Sequence, residues 1–208
     1  MSWYTPRPNR INTSTSRSWW TRWCCAGIDP PILLRFPEIL ANQLSELNKV
    51  FLSAISEHNY QGKYRCVYPI KVNQQRQVVE EINKYGRQYG FGLEAGSKPE
   101  LLAVAAIADN ETPIICNGFK DDEYIEMCML ARKVGRDITP VVEKFTELEL
   151  ILKHAAAMGV RPAIGLRVKL ASRGAGRWKS SGGYRSKFGL TVTGAVRILS
   201  CFPINLSN

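Results

Sequence analysis

Lys71 closes the run Tyr64-Arg65-Cys66-Val67-Tyr68-Pro69-Ile70, which is mostly apolar and aromatic and gives way to the polar turn Val72-Asn73-Gln74. A lone amine at the mouth of a fold is a nucleophile that a carbonyl compound could reach, and burial would lower its pKa enough to free the lone pair. Taken by itself, the same pattern is a strand releasing a charged residue into solvent. Other polar residues close apolar runs in the same way: Glu94 after Phe91-Gly92-Leu93, Asn117 after Cys116, Glu143-Lys144 after Val142, and Arg167 and Lys169 on either side of Val168. If these runs are parallel strands, an amine, a carboxylate and a guanidinium converge on one rim. The alternative from spacing alone is that Glu94 and Arg167 pair with each other and only close the top of the fold.

The elements that would position these residues repeat about every 25 residues, with candidate strands starting near Tyr64, Tyr89, Pro113, Ile138 and Pro162. Between them lie helical segments at about Gln75 to Tyr85, Pro99 to Ala108, Asp121 to Val134 and Glu147 to Met158, and a last helix fits from Val192 to about Cys201. Ser97-Lys98-Pro99-Glu100 and Thr146-Glu147-Leu148-Glu149 read as capping boxes, in which a side-chain oxygen serves the unpaired amides of the first turn. Ahead of the repeat, Leu40, Leu44, Leu47, Phe51 and Ile55 recur every three to four residues, predicting an amphipathic helix from Pro37 to about Glu57. Strands such as Pro113-Ile114-Ile115-Cys116 are apolar on both faces, as helix-covered parallel strands are. The expected fold is α/β, an incomplete (β/α)8 TIM-type barrel of about five βα units, with an open doubly wound sheet as the alternative.

Composition narrows the classes. With 208 residues and 45% hydrophobic content the chain can bury a substantial core. No run approaches the roughly 18 to 20 apolar residues of a membrane span, and the first residues lack a secretory h-region, so a cytoplasmic chain with no membrane partner is expected. Six cysteines show no C-x-x-C spacing, which argues against a zinc site or a disulfide framework, and no metal ligand set is predicted. The net charge of +10 is concentrated in two acid-free stretches, residues 1 to 27 and 172 to 187. A basic face for nucleic acid is therefore not expected, although Trp19, Trp20 and Trp23 among arginines leave such a binder as a minor alternative. Residues 1–27 show no periodicity and read as a disordered tail, or as an organelle transit peptide, ahead of a barrel domain over 28–208. The basic, glycine-bearing stretch Ser172 to Gly183 lacks the P-loop pattern and reads as a rim segment rather than a phosphate cradle.

Four blocks, Tyr68-Pro69-Ile70-Lys71-Val72-Asn73-Gln74, Gly92-Leu93-Glu94-Ala95-Gly96-Ser97-Lys98-Pro99-Glu100-Leu101, Cys116-Asn117-Gly118-Phe119-Lys120-Asp121 and Ser180 to Leu190, resemble consecutive blocks of the biosynthetic arginine decarboxylases. These are pyridoxal-phosphate enzymes of the alanine racemase and ornithine decarboxylase barrel class, and the likeness runs from about Pro31 to Thr191. The resemblance implies that Lys71 is the catalytic lysine that holds pyridoxal 5'-phosphate covalently and that Glu94 and Arg167 lie near the cofactor. It also implies conversion of L-arginine to agmatine and CO2 in polyamine biosynthesis, a homo-oligomer, and Mg2+ as a possible further ion for which no motif is seen. A related decarboxylase acting on ornithine or diaminopimelate is the runner-up.

Several parts of the resembled enzymes have no counterpart here: the histidine stacked on the cofactor ring, the glycine-rich phosphate loop, the acidic partner of the pyridine nitrogen and the β-domain residues. The expectation is an amino-terminal fragment with little or no activity alone, or a non-catalytic remnant of the family.

Overall fold

The structure, a computed structural model, describes residues 13–29, 31–170 and 188–201. The chain divides into two units, Met1–Phe36 and Pro37–Asn208. Within the first, a helix α1 spans Thr13–Cys25 where the sequence reads as an aperiodic tail. Gly27 at φ +72° lets its own amide reach the Cys24 carbonyl and the Ile28 amide reach that of Trp23, a left-handed closure that ends the helix. That glycine and the i, i+4 spacing of Trp19 and Trp23, whose ring centroids lie 6.3 Å apart, were the available signals.

The second unit opens with α2 (Pro37–Glu57), followed by β1 (Val67–Pro69), α3 (Arg76–Gly86), β2 (Gly92–Ala95), α4 (Lys98–Ile107), β3 (Ile114–Cys116), α5 (Asp122–Lys133), β4 (Ile138–Val142), α6 (Phe145–Met158), β5 (Gly165–Leu166) and α7 (Val192–Cys201). All five strands are parallel and stand in the order β1-β2-β3-β4-β5. A doubly wound sheet would reverse direction at a switch point. Unbroken sequential order is that of a (β/α)8 barrel, here incomplete. Beyond β5 the Val168–Leu190 bridge continues the same parallel pairing. No helix among the described residues is long and apolar enough to cross a membrane.

The core lies between sheet and helices. Leu93, Ala95, Ile114, Cys116, Ile138 and Val142 alternate along their strands and are almost fully buried against Val104, Ile125, Met129 and Ile151. The residues between them, Glu94, Ile115, Thr139 and Val141, are only half-buried. The strands are therefore apolar on both faces but sealed on one, because five strands do not enclose the interior their second face lines. On α2, Leu40, Leu44 and Ile55 are half-buried and Asn48 is buried, whereas Leu47 and Phe51 of the predicted stripe are exposed. Phe51 instead stacks on Tyr64 at 3.9 Å between centroids.

Both predicted capping boxes are rearranged. Ser97 does precede α4, but Glu100 accepts a hydrogen bond from the Gly96 amide at 2.6 Å, one residue upstream of the expected donor. Helix α6 starts at Phe145, so Glu147 occupies the third helical position and its carboxylate accepts from the amides of Glu143 and Lys144. Helix α5 begins as expected, with the Asp121 side chain accepting from the Tyr124 amide at 2.9 Å.

Two acids at that helix start tie it to its neighbours. Asp121 meets Lys98 of α4 at 2.8 Å, and Asp122 meets His154 and Lys153 of α6 at 3.0 and 3.1 Å. Hydrogen bonds from these partners hold both carboxyls below the ordinary value of 3.8. A depressed carboxylate contributes stability that is present above its unfolded-state pKa and lost as pH falls through the lower folded-state value. Asp122→Asn is therefore expected to lower Tm at neutral pH and to make no difference in strong acid, as thermal unfolding followed across pH would read. An equal Tm loss at every pH would show that the contact is not ionic.

Candidate functional site

The parallel register brings the strand ends level. Pro69 pairs with Glu94, Glu94 with Ile115, Ile115 with Thr139, and Val142 with Leu166. A cavity of about 590 Å3 opens at these C-terminal ends. Lys71, Glu94, Glu100, Asn117 and Arg167 supply its polar lining, and Val141 and Leu166 its apolar wall. Two smaller grooves, of about 440 Å3 beside Phe51 and Tyr64 and about 340 Å3 between Leu148 and Ile198, lie away from the strand-end acids and amines.

Lys71 does not continue β1. The strand stops at Pro69, and Ile70–Val72 form a single 3-10 turn that buries Ile70 and leaves Lys71 exposed. The expectation that burial activates this amine is thus corrected: a sheet open beyond β1 supplies nothing to desolvate it. Among the described residues the Lys71 amine has no hydrogen-bond or ion-pair partner. Glu94, inside β2 and half-buried, likewise has a carboxylate without one.

Arg167 follows β5 directly and is pinned by its backbone, its amide donating to the Val142 carbonyl and its carbonyl accepting from the Leu190 amide. Its guanidinium lies over the Phe188 ring at 5.2 Å and donates to Glu143 Oε1 at 3.2 Å. Its carboxylate partner is therefore Glu143 and not Glu94, and the closing Glu94–Arg167 pair does not form. Glu143 was legible only as a strand end. Its carboxylate is nearly sealed at 4% exposure, and the same oxygen accepts from the Gly118 amide at 2.9 Å.

Gly118 is where two loops touch. Its φ is +77°, and a Cβ placed there would sit 2.5 Å from the Gly96 carbonyl oxygen. Gly118→Ala is expected to cost about 1–3 kcal/mol from the left-handed backbone alone, with the collision added. Urea unfolding should read this as a lower midpoint. An unchanged midpoint would mean that the two loops part without penalty.

Behind the rim lie charges that no sequence signal revealed. The Lys120 side chain is fully buried, donating to the Gly118 carbonyl at 2.5 Å and facing Glu147 at 3.4 Å. A lysine after an exposed phenylalanine reads as a surface residue, and Glu147 as a helix-start acid. Tyr124 is buried as well, donating to the Ala95 carbonyl at 2.8 Å, and burial pushes its phenol far above the ordinary value so that it remains a neutral donor. The Cys128 thiol is pushed far up by its hydrogen bond with Cys116 and by burial, so it does not serve as a nucleophile. Among the described residues no three His, Cys, Asp or Glu side chains gather as metal ligands. The basic stretch 172–187 lies outside the described residues.

Comparison with known proteins places this arrangement. The family described as "Pyridoxal-dependent decarboxylase, pyridoxal binding domain" matches residues 44–202. The biosynthetic arginine decarboxylase of Rhodopirellula baltica is 61% identical over 166 residues, 80% of this chain and 25% of that protein. That of Citrifermentans bemidjiense is 50% identical over 179 residues, 86% of this chain and 28% of the relative. The crystal structure of the biosynthetic arginine decarboxylase from Campylobacter jejuni superposes with a TM-score of 0.76 at 36% identity, covering 89% of this chain and 29% of that one. The chain thus spans about a quarter of the length of the curated relatives it matches. With an amine, a carboxylate and a guanidinium on the C-terminal rim of a partial barrel and a family match across most of its length, the chain belongs to the pyridoxal-dependent decarboxylases, in their pyridoxal-binding domain.

Proposed function

We propose that this chain forms the lysine-bearing part of the cofactor site of an arginine decarboxylase, with Lys71 as the catalytic lysine and Glu94 and Arg167 as cofactor-binding residues. The observation that carries this reading is the shared cavity: Lys71 just past β1, Glu94 within β2 and Arg167 just past β5, far apart in sequence, line one space of about 590 Å3. That volume lies within the range of small-molecule sites. The residues suit pyridoxal 5'-phosphate. Lys71 has a primary amine with no partner to displace among the described residues, Arg167 offers a cation fixed by Glu143 and Phe188, and Val141 and Leu166 give an apolar wall.

When bound, the cofactor supplies an aldehyde carbon for exchange between amines and a cationic ring that accepts an electron pair. Lys71 would hold the cofactor by its amine, would give way to the α-amine of the substrate and would take the cofactor back when product leaves. The Glu94 carboxylate, without a partner among the described residues, lines the same cavity and is suited to hold a proton or a positive charge. For L-arginine the bond from Cα to the carboxylate breaks, its electron pair stays on Cα, and a proton takes the place of CO2 to give agmatine. The similarity to biosynthetic arginine decarboxylases supports arginine over ornithine or diaminopimelate.

The test is residue-specific capture. After incubation with pyridoxal phosphate, borohydride reduction and proteolysis, the pyridoxyl mass is expected chiefly on the peptide carrying Lys71. Label spread evenly over surface lysines would overturn the reading. No agmatine is expected from the 208-residue chain alone, because its cavity stays open to water and five strands supply only part of a rim.

A further inference from the structure

One buried carboxylate is shared by two loops of the rim. Glu147 Oε1 accepts from the Lys120 amide at 3.1 Å in the loop between β3 and α5. Its Oε2 accepts from the Glu143 amide at 2.7 Å and the Lys144 amide at 3.3 Å in the loop between β4 and α6, and faces the Lys120 ammonium at 3.4 Å. Both side chains of the pair are sealed, at 0% and 2% exposure. A buried pair of this kind is a poor source of stability, since apolar residues of similar volume often do as well or better. What apolar residues cannot do is present acceptors to three amides on two loops at once.

The residue these contacts fix is Glu143, which in turn holds Arg167. Its amide is anchored on Glu147, and its own carboxylate bridges the Gly118 amide and the Arg167 guanidinium. Among the described residues Arg167 has no other carboxylate partner, and its side chain is 48% exposed, so nothing else of opposite charge there fixes it. We propose that Glu147 is a positioning residue: through Lys120 and the amide of Glu143 it sets the two loops so that Glu143 holds Arg167 at the cavity. The proposal rests on the reading of Arg167 as a cofactor-binding residue, but its test needs no cofactor. Failure of Lys71 capture would sink that reading without touching the Glu147–Glu143–Arg167 linkage.

The test uses the full 208-residue chain and the rate at which an arginine-selective dicarbonyl, phenylglyoxal, labels Arg167, read by peptide mass. Arg136, whose guanidinium is bound to the Ala105 carbonyl of α4 and to that of Ala108 just past it, serves as internal reference. In Glu147→Gln the labelling of Arg167 relative to Arg136 is expected to rise roughly threefold to fivefold, the loss expected for a half-exposed ion pair set free. The double variant Lys120→Met with Glu147→Met replaces the pair by apolar side chains and leaves no unpaired charge buried, so it tests the point should the single variant not fold. It is expected to give the same selective rise, with Tm lowered by the loop amides that lose their acceptor. A ratio unchanged in the folded double variant would overturn the proposal, as would Arg136 and Arg167 rising together, which is the signature of general loosening.

Discussion

Lys71→Ala is expected to abolish the near-visible absorbance that develops when the chain is mixed with pyridoxal phosphate, and with it the reduced label on that peptide. The loss should be complete rather than graded, because alanine removes the only atom that makes the bond. Lys71→Arg should lose it too. A guanidinium stays protonated and keeps the charge without offering a free amine. Lys144→Ala is the control: this second rim lysine is also exposed, but its ammonium lies 4.3 Å over the Phe119 ring and it does not line the cavity. Absorbance of parental intensity in Lys71→Ala would mean that the aldehyde is taken up elsewhere. Since Lys71 is exposed, burial is not what sets it apart from other lysines. Selectivity has to come from what faces it across the cavity, so Glu94→Ala and Arg167→Ala should each weaken capture while leaving its position on Lys71 unchanged.

That distinction marks where the sequence was legible. The repeat of strand and helix is visible because each helix buries one stripe and each strand contributes to one sheet, and helix limits read from the pattern fall within about two residues of those observed for α3 to α7. The rim residues are visible for the same reason: in a parallel sheet every strand ends on one side, so the polar residue closing each apolar run must lie there. Pairing across the rim was not visible. Whether Arg167 meets Glu94 or Glu143 depends on which face of the sheet each side chain leaves from, and Arg167 lies beyond β5 with its carbonyl already engaged by Leu190. Burial of Lys71 could not be read either, since it depends on what lies past the open side of β1. Nor could the buried pair. A lysine and a glutamate 27 residues apart look like two solvated charges until two loops close over them.

Lys120→Ala is expected to destabilise the second unit by about 3–5 kcal/mol, the cost of leaving one member of a buried ion pair without its partner. The magnitude follows from the setting. Glu147 has no route to solvent at 2% side-chain exposure, and with the ammonium gone its charge is met only by the amides of Lys144, Glu143 and residue 120. The Gly118 carbonyl loses its 2.5 Å donor in the same step. Removing both charges should cost less, because Lys120→Met with Glu147→Gln takes away the desolvated pair while the glutamine side-chain oxygen still accepts from the loop amides. Urea unfolding should therefore give a midpoint far below the parent for the single variant and one nearer the parent for the double. Equal and large losses in both would show that the pair contributes net stability of its own, and negligible loss in Lys120→Ala would show that water reaches the Glu147 carboxylate once the lysine is shortened.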